Sequence, residues 1–230
     1  MKIRLTVSLL ALALAGTPAL GQSGPAPTAP VEAVQQPGKW AQDYTGRKAD
    51  PAVIFGTLPN GLRYAILRNT TPSDGVAMRL RFGSGAIQES DEQQGLAHFL
   101  EHMAFRGSRN VADGDVVKML ERHGLRFGPD TNAFTAHDQT VYMFNFPKAD
   151  PDSLDTGLTL FREIGERLTL DPALVEAEKG VILSEERLRD VPQYRMAKAN
   201  LGNALAGTRA MTRWPIGTVE TIKGATAQQP

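Results

Sequence analysis

The run Gly95-Leu96-Ala97-His98-Phe99-Leu100-Glu101-His102-Met103-Ala104-Phe105 constrains this chain more than any other stretch. Its apolar residues predict a partly buried helix. At about 100° per residue, Glu101 lies about 60° behind His98 and His102 about 40° ahead of it. Two imidazoles and a carboxylate therefore share one helical face, within an arc of roughly 100°. A solvated helix face has no reason to be so poor in Lys and Arg, so a surface accident is the weaker explanation. The arrangement suits Zn2+ held by two neutral imidazoles, with a carboxylate beside the water it activates. His98-Phe99-Leu100-Glu101-His102 is the inverse of the commoner His-Glu-x-x-His zinc-protease pattern.

Zinc hydrolases commonly use three protein ligands and leave a fourth position for water. A second acidic helix offers candidates. Asp171 and Pro172 form a helix start, a capping side chain followed by Pro at the first position. The helix should run to about Asp190 and stop before Pro192. Glu178 and Glu185 are seven residues apart, two turns less about 20°, so they point the same way. Val175, Val181, Ile182 and Leu188 are the expected apolar surface of this helix. Glu176 and Glu186 lie nearby, and Glu186 is rotated about 100° from Glu185.

Several separated segments together resemble the pitrilysin/insulinase family of zinc peptidases, which includes mitochondrial processing peptidase. They are Gly56 to Tyr64, Gly83 to Ala86, Glu89, Gly95 to Phe105, Asn132 to Thr135, Thr140 to Tyr142 and Glu178 to Glu185, in that order. The resemblance runs from about Asp50 to Gly224 and is nearest to bacterial exported members. It implies His98 and His102 as zinc ligands, Glu101 as general base, Glu185 as third ligand and Glu178 as the acid that orients the site. It also implies that the strand carrying Asn132, Ala133 and Phe134 is a sheet edge to which a peptide substrate adds. Members are similar to clamshells of two homologous halves, in one chain or two subunits. The resemblance thus implies a zinc endopeptidase acting on peptides or small unfolded proteins, with a second half as partner. The alternative is a non-catalytic peptide-binding or assembly subunit of the same fold. Because the family continues with a helix and strand beyond the match, the chain is expected to be an N-terminal fragment.

The remaining sequence sets the context. Lys2 and Arg4, the apolar run Leu5 to Ala15 and the small residues Ala19 to Gly21 predict a signal peptide over residues 1–21. That run is too short to span a bilayer comfortably, so no stable membrane anchor is expected. Residues 22–49, rich in Pro, Ala and Gln up to Gly38, read as a linker. Residues 50–230 read as one α+β domain, a mixed or antiparallel sheet packed with helices. Export and the absence of cysteine suit a bacterial periplasm or exterior. Removing Lys2 and Arg4 leaves 23 basic against 25 acidic residues, a net −2. With no basic patch, nucleic acid is not an expected partner.

Within the domain, Val53 to Leu58 and Leu62 to Leu67 should pair around Pro59-Asn60-Gly61. Val76, Met78, Leu80 and Phe82 alternate as a strand with one buried face. Ser90 with Gln93 is the expected cap of the His98 helix. Gly114 to His123 reads as a helix ended by Gly124, with His123 a cation at its C-terminus. Asn132 to Thr135 and Thr140 to Phe146 read as paired strands, with His137 a surface residue between them. Leu154, Leu158, Phe161, Ile164 and Leu168 are spaced as the buried face of a helix.

Overall fold

The computed structural model describes residues 39–229. The expected signal peptide and the Pro-rich part of the expected linker lie outside the described residues. The chain divides into two compact units, one ending at Arg68 and the other beginning at Asn69.

The first unit holds a short helix α1 (Gln42–Thr45) and the strands β1 (Val53–Thr57) and β2 (Arg63–Leu67). The strands pair antiparallel, from Val53 opposite Leu67 to Thr57 opposite Arg63. Gly61 closes the hairpin at φ +86°, a left-handed conformation that favours glycine. Gly56 lies opposite Tyr64, and a Cβ at Gly56 would sit 2.2 Å from the Tyr64 ring. Trp40 packs edge-on against Phe55, with centroids 4.8 Å apart.

The second unit is α+β. In chain order it contains β3 (Val76–Phe82), α2 (Leu96–Met103), α3 (Asp115–Arg122), β4 (Thr131–Thr135), β5 (Thr140–Phe146) and α4 (Pro151–Glu166). It continues with α5 (Pro172–Arg189), α6 (Pro192–Ala204) and α7 (Val219–Gly224). The sheet is antiparallel in the order β3-β5-β4, with Val76 opposite Phe146 and Thr131 opposite Phe144. The central strand β5 is the most buried, because it is paired on both sides and covered by helices. The outer strand β3 alternates between half-buried and exposed positions, as its sequence predicts. Among the described residues no helix is long and apolar enough to cross a membrane.

Two apolar clusters hold this unit together. In one, Val116 and Leu120 of α3 and Leu160 and Ile164 of α4 pack with Tyr142, Phe144 and Phe146 of β5. In the other, Phe99 and Met103 of α2 pack with Val175 and Ile182 of α5 and with Ile222 of α7. The second cluster is what holds α2 and α5 side by side.

Several local expectations are corrected. The buried positions of α4 are Ser153, Gly157, Leu160, Glu163 and Ile164, while Leu154 and Leu158 are exposed. The helix is rotated because Gly157 lets it approach the sheet closely: a Cβ there would fall 2.5 Å from Met78 Sδ and 3.0 Å from the Phe146 ring. Glu163 is accommodated on this face because Ser108 Oγ (2.6 Å), Asn110 Nδ2 (2.7 Å) and Arg167 (3.1 Å) all donate to it. Burial opposes ionisation of Glu163, yet these donors bring its pKa down to about 2. On α5, Val175 and Ile182 are buried, but Val181 and Leu188 are exposed. The buried face of α5 is narrower than its apolar content suggests, and it includes Glu178. A further helix, α6, begins directly at Pro192, which takes the first helical position where its missing N–H costs nothing.

His123 and His137 also differ from expectation. His123 bridges to α4 through Ser153 Oγ (3.3 Å) and Thr156 Oγ1 (3.0 Å), so it ties two helices together rather than merely facing a helix end. His137 is half-buried and packs edge-on against Trp214, with centroids 5.5 Å apart.

Candidate metal centre

The start of α2 is gripped from outside the helix. Gly95, at φ +92°, precedes the first turn, and a Cβ there would meet Gly217 Cα at 2.7 Å. Only glycine tolerates both conditions. The buried Glu89 carboxylate accepts from the backbone N–H of Gly95 (2.9 Å) and Ala97 (2.8 Å). It satisfies donors that a helix N-terminus otherwise leaves orphaned, and its negative charge suits the positive end of the helix dipole. Burial pushes the Glu89 pKa up, against the lowering effect of these bonds. Ser90 and Gln93 instead serve the short turn before α2, where Gln93 Oε1 accepts from Ser90 N–H at 3.3 Å. The helix cap is therefore Glu89, not Ser90.

On α2, the His98 and His102 rings meet edge to face with centroids 4.7 Å apart. Across from them, Glu185 of α5 places Oε2 3.6 Å from His98 Nε2 and 3.3 Å from His102 Nε2. One donor atom from each of these three residues lies within 4.8 Å of the others. Ligands bound at about 2.0–2.1 Å in a tetrahedral zinc site stand roughly 3.3–3.4 Å apart. The two separations from Glu185 Oε2 are close to that spacing, and two imidazoles with a carboxylate fit the ion in chemistry. Glu176, by contrast, pairs with Lys179 at 2.7 Å, and Glu186 is outside the cluster.

Glu178 reaches the same site from one heptad earlier. Its Oε1 lies 2.9 Å from His102 Nδ1, which fixes the ring so that Nε2 faces Glu185. Its Oε2 lies 3.5 Å from Arg106 Nε. Glu101 sits on the same face of α2, and its Oε2 accepts from Thr135 Oγ1 of β4 at 2.7 Å. The strand carrying Asn132, Ala133 and Phe134 is thus joined to the helix by a side chain at its end. β4 is an edge strand, with Asn132 and Phe134 exposed.

The electrostatics separate the two histidines. Burial lowers the His98 pKa to about 4, with the neighbouring His102 charge acting in the same direction. For His102 burial also opposes the charge, but bonding to Glu178 and Glu185 raises its pKa to about 9. The bond to His102 holds Glu185 down at about 2. Burial raises Glu101, against the lowering effect of Thr135. Two carboxylates facing His102 make a pocket that favours a cation, and a metal would take the place of the His102 proton.

The family described as Insulinase (Peptidase family M16) matches residues 64–212, well over half of the chain. The chain belongs to the insulinase family. Among its relatives, the "Probable zinc protease PqqL" of Escherichia coli is 38% identical over 180 residues, which are 78% of this chain and 19% of the relative. The chain thus spans about a fifth of that relative's length. The solved first half of the periplasmic protease PqqL from Escherichia coli superposes with a TM-score of 0.75 at 38% identity, covering 77% of this chain and 38% of that one. An inactive domain of peptidase M16 from Pseudomonas fluorescens shares the fold, with a TM-score of 0.63 at 20% identity over 76% of this chain and 40% of that one. The insulinase-family assignment agrees with the antiparallel α+β half-domain.

Four contributors to the site were not expected from the sequence: Glu89, Arg106, Thr135 and Arg189, whose guanidinium donates to Glu185 Oε1. Only Arg189 left a spacing signal, four residues after Glu185, where an acid and a base on a helix pair well.

Proposed function

We propose that this chain is the metal-binding half of a zinc-dependent endopeptidase that cleaves peptides or small unfolded proteins. His98, His102 and Glu185 would hold the zinc, Glu101 would act as general base, and Glu178 would orient His102. The observation that carries this reading is the convergence of two Nε2 atoms and one carboxylate oxygen beside a separately positioned carboxylate. When bound, zinc supplies Lewis acidity, acidifying a coordinated water and polarising a carbonyl oxygen.

The chain's own residues do the rest. Glu101 accepts the proton of the attacking water and returns it to the departing amine. Its burial makes it a stronger base than an exposed carboxylate, and Thr135 holds the acceptor in place. Beyond Thr131, which already bridges to Phe127, the outer edge of β4 can pair with an extended peptide backbone, leaving Asn132, Ala133 and Phe134 to meet its side chains. The reading includes export to a bacterial periplasm or exterior, and a second homologous half, in a longer chain or a partner subunit, that closes over the substrate. That half would exclude water and orient the scissile bond. The non-catalytic subunit is the weaker alternative, because both histidines and all three acids of the site stand in place here.

The test is Glu101→Gln beside His98→Ala, assayed on an unstructured peptide with the second half supplied. Glu101→Gln should retain zinc and lose roughly 10²–10⁴-fold in turnover, while His98→Ala should lose the metal itself. Near-parental turnover in Glu101→Gln would reject the proposed base.

A further inference from the structure

The two oxygens of Glu185 face different partners. Oε2 points to the Nε2 atoms of His98 and His102. Oε1 accepts from the guanidinium of Arg189, the last residue of α5. A helical acid–base pair at this spacing is common on exposed surfaces, where it contributes little. This one is different in two respects. Glu185 belongs to the donor cluster, and Arg189 bonds to it although Glu186 and Asp190 are close by in sequence.

We infer that Arg189 is a positioning residue that holds Oε1 of Glu185 away from the metal, so that this carboxylate binds through Oε2 alone. The inference rests on the reading of Glu185 as a metal ligand. Its physical basis is simple. A carboxylate with both oxygens free can swing to chelate an ion through both, filling a position that a catalytic site must leave open for water and substrate. An arginine locks one oxygen with a charge-assisted hydrogen bond and cannot be deprotonated, so the lock does not depend on pH. Groups that orient metal ligands typically change metal affinity by 10–100-fold when removed. Lysine supplies the charge but not the planar fork, so it should replace arginine only in part.

The experiment compares the purified chain with Arg189→Gln, Arg189→Lys and, as a matched loss of charge on the same helix, Arg187→Gln. Arg187 bonds to Ser184 Oγ instead, at 2.9 Å. Zinc affinity is read by competition with a chromogenic chelator. The coordination state is read from the visible absorption of the Co2+-loaded chain, which is intense for four ligands and weak for five or six. Arg189→Gln should change zinc affinity by about 10–100-fold and show a weaker cobalt spectrum, as a second carboxylate oxygen enters the coordination. Arg189→Lys should recover part of both, and Arg187→Gln should match the parent. Thermal melting of the metal-free proteins should be nearly unchanged, since Arg189 is half exposed. Parental affinity and spectrum in both Arg189 variants would overturn the inference while leaving the metal site intact. A parent chain that takes up no zinc would overturn the metal reading and this inference with it.

Discussion

Glu178 is the most informative residue to perturb, because it touches the site only through other groups. Its Oε1 is 2.9 Å from His102 Nδ1 and its Oε2 3.5 Å from Arg106 Nε, and the side chain is buried. Glu178→Gln keeps the shape and one acceptor oxygen for His102. It loses the negative charge and turns an amide donor toward the Arg106 cation. Glu178→Ala removes the acceptor altogether, leaving His102 free to rotate and Arg106 without its buried partner. Partners of this kind are worth about 10–100-fold in metal affinity, or about 1.4–2.7 kcal/mol at 1.36 kcal/mol per decade. The glutamine variant should fall near the lower end and the alanine variant near the upper end. The assay is equilibrium competition for zinc against a chelator of known affinity, with far-ultraviolet circular dichroism to verify folding. If both folded variants hold zinc as tightly as the parent, His102 is not oriented by Glu178.

Three further outcomes are expected. Thr135→Val should leave zinc content unchanged and reduce peptide turnover roughly 10- to 100-fold, the size of one hydrogen bond to a charged group; unchanged turnover would remove Thr135 from the site. Ile182→Ala, at a fully buried position between the two acids of α5, should cost about 2–5 kcal/mol in denaturant unfolding, and a loss below 1 kcal/mol would contradict tight packing of α2 on α5. The third concerns Glu163, whose folded pKa of about 2 lies below the ordinary carboxylate range. Its contribution to stability should be complete above about pH 5 and disappear as pH falls through its folded value. Glu163→Gln should therefore be less stable than the parent at neutral pH, with the gap narrowing in acid; a pH-independent gap would refute the linkage.

The amino-acid sequence by itself determined the features that depend on spacing within one element. His98, Glu101 and His102 share a face because helical geometry puts them there whatever surrounds the helix. Glu178 and Glu185 align for the same reason, and the hairpin at Gly61 and the alternation of β3 are equally local. The structure brings donor atoms of His98, His102 and Glu185 within 4.8 Å of one another. What local spacing could not decide was which face of a helix is buried, because that depends on neighbours distant in the chain. Gly157 of α4 meets Met78 and Phe146, so Leu154 and Leu158 turn outward despite their hydrophobicity. Val181 and Leu188 are likewise left exposed because α5 offers its Val175–Ile182 face to α2 and α7. The same long-range packing selects Glu89 as the cap of α2, brings Thr135 of β4 to Glu101 and sets Glu185 against the two histidines. Hydrogen bonds within a helix dictate angles between its own residues, but only packing between elements decides what those residues face.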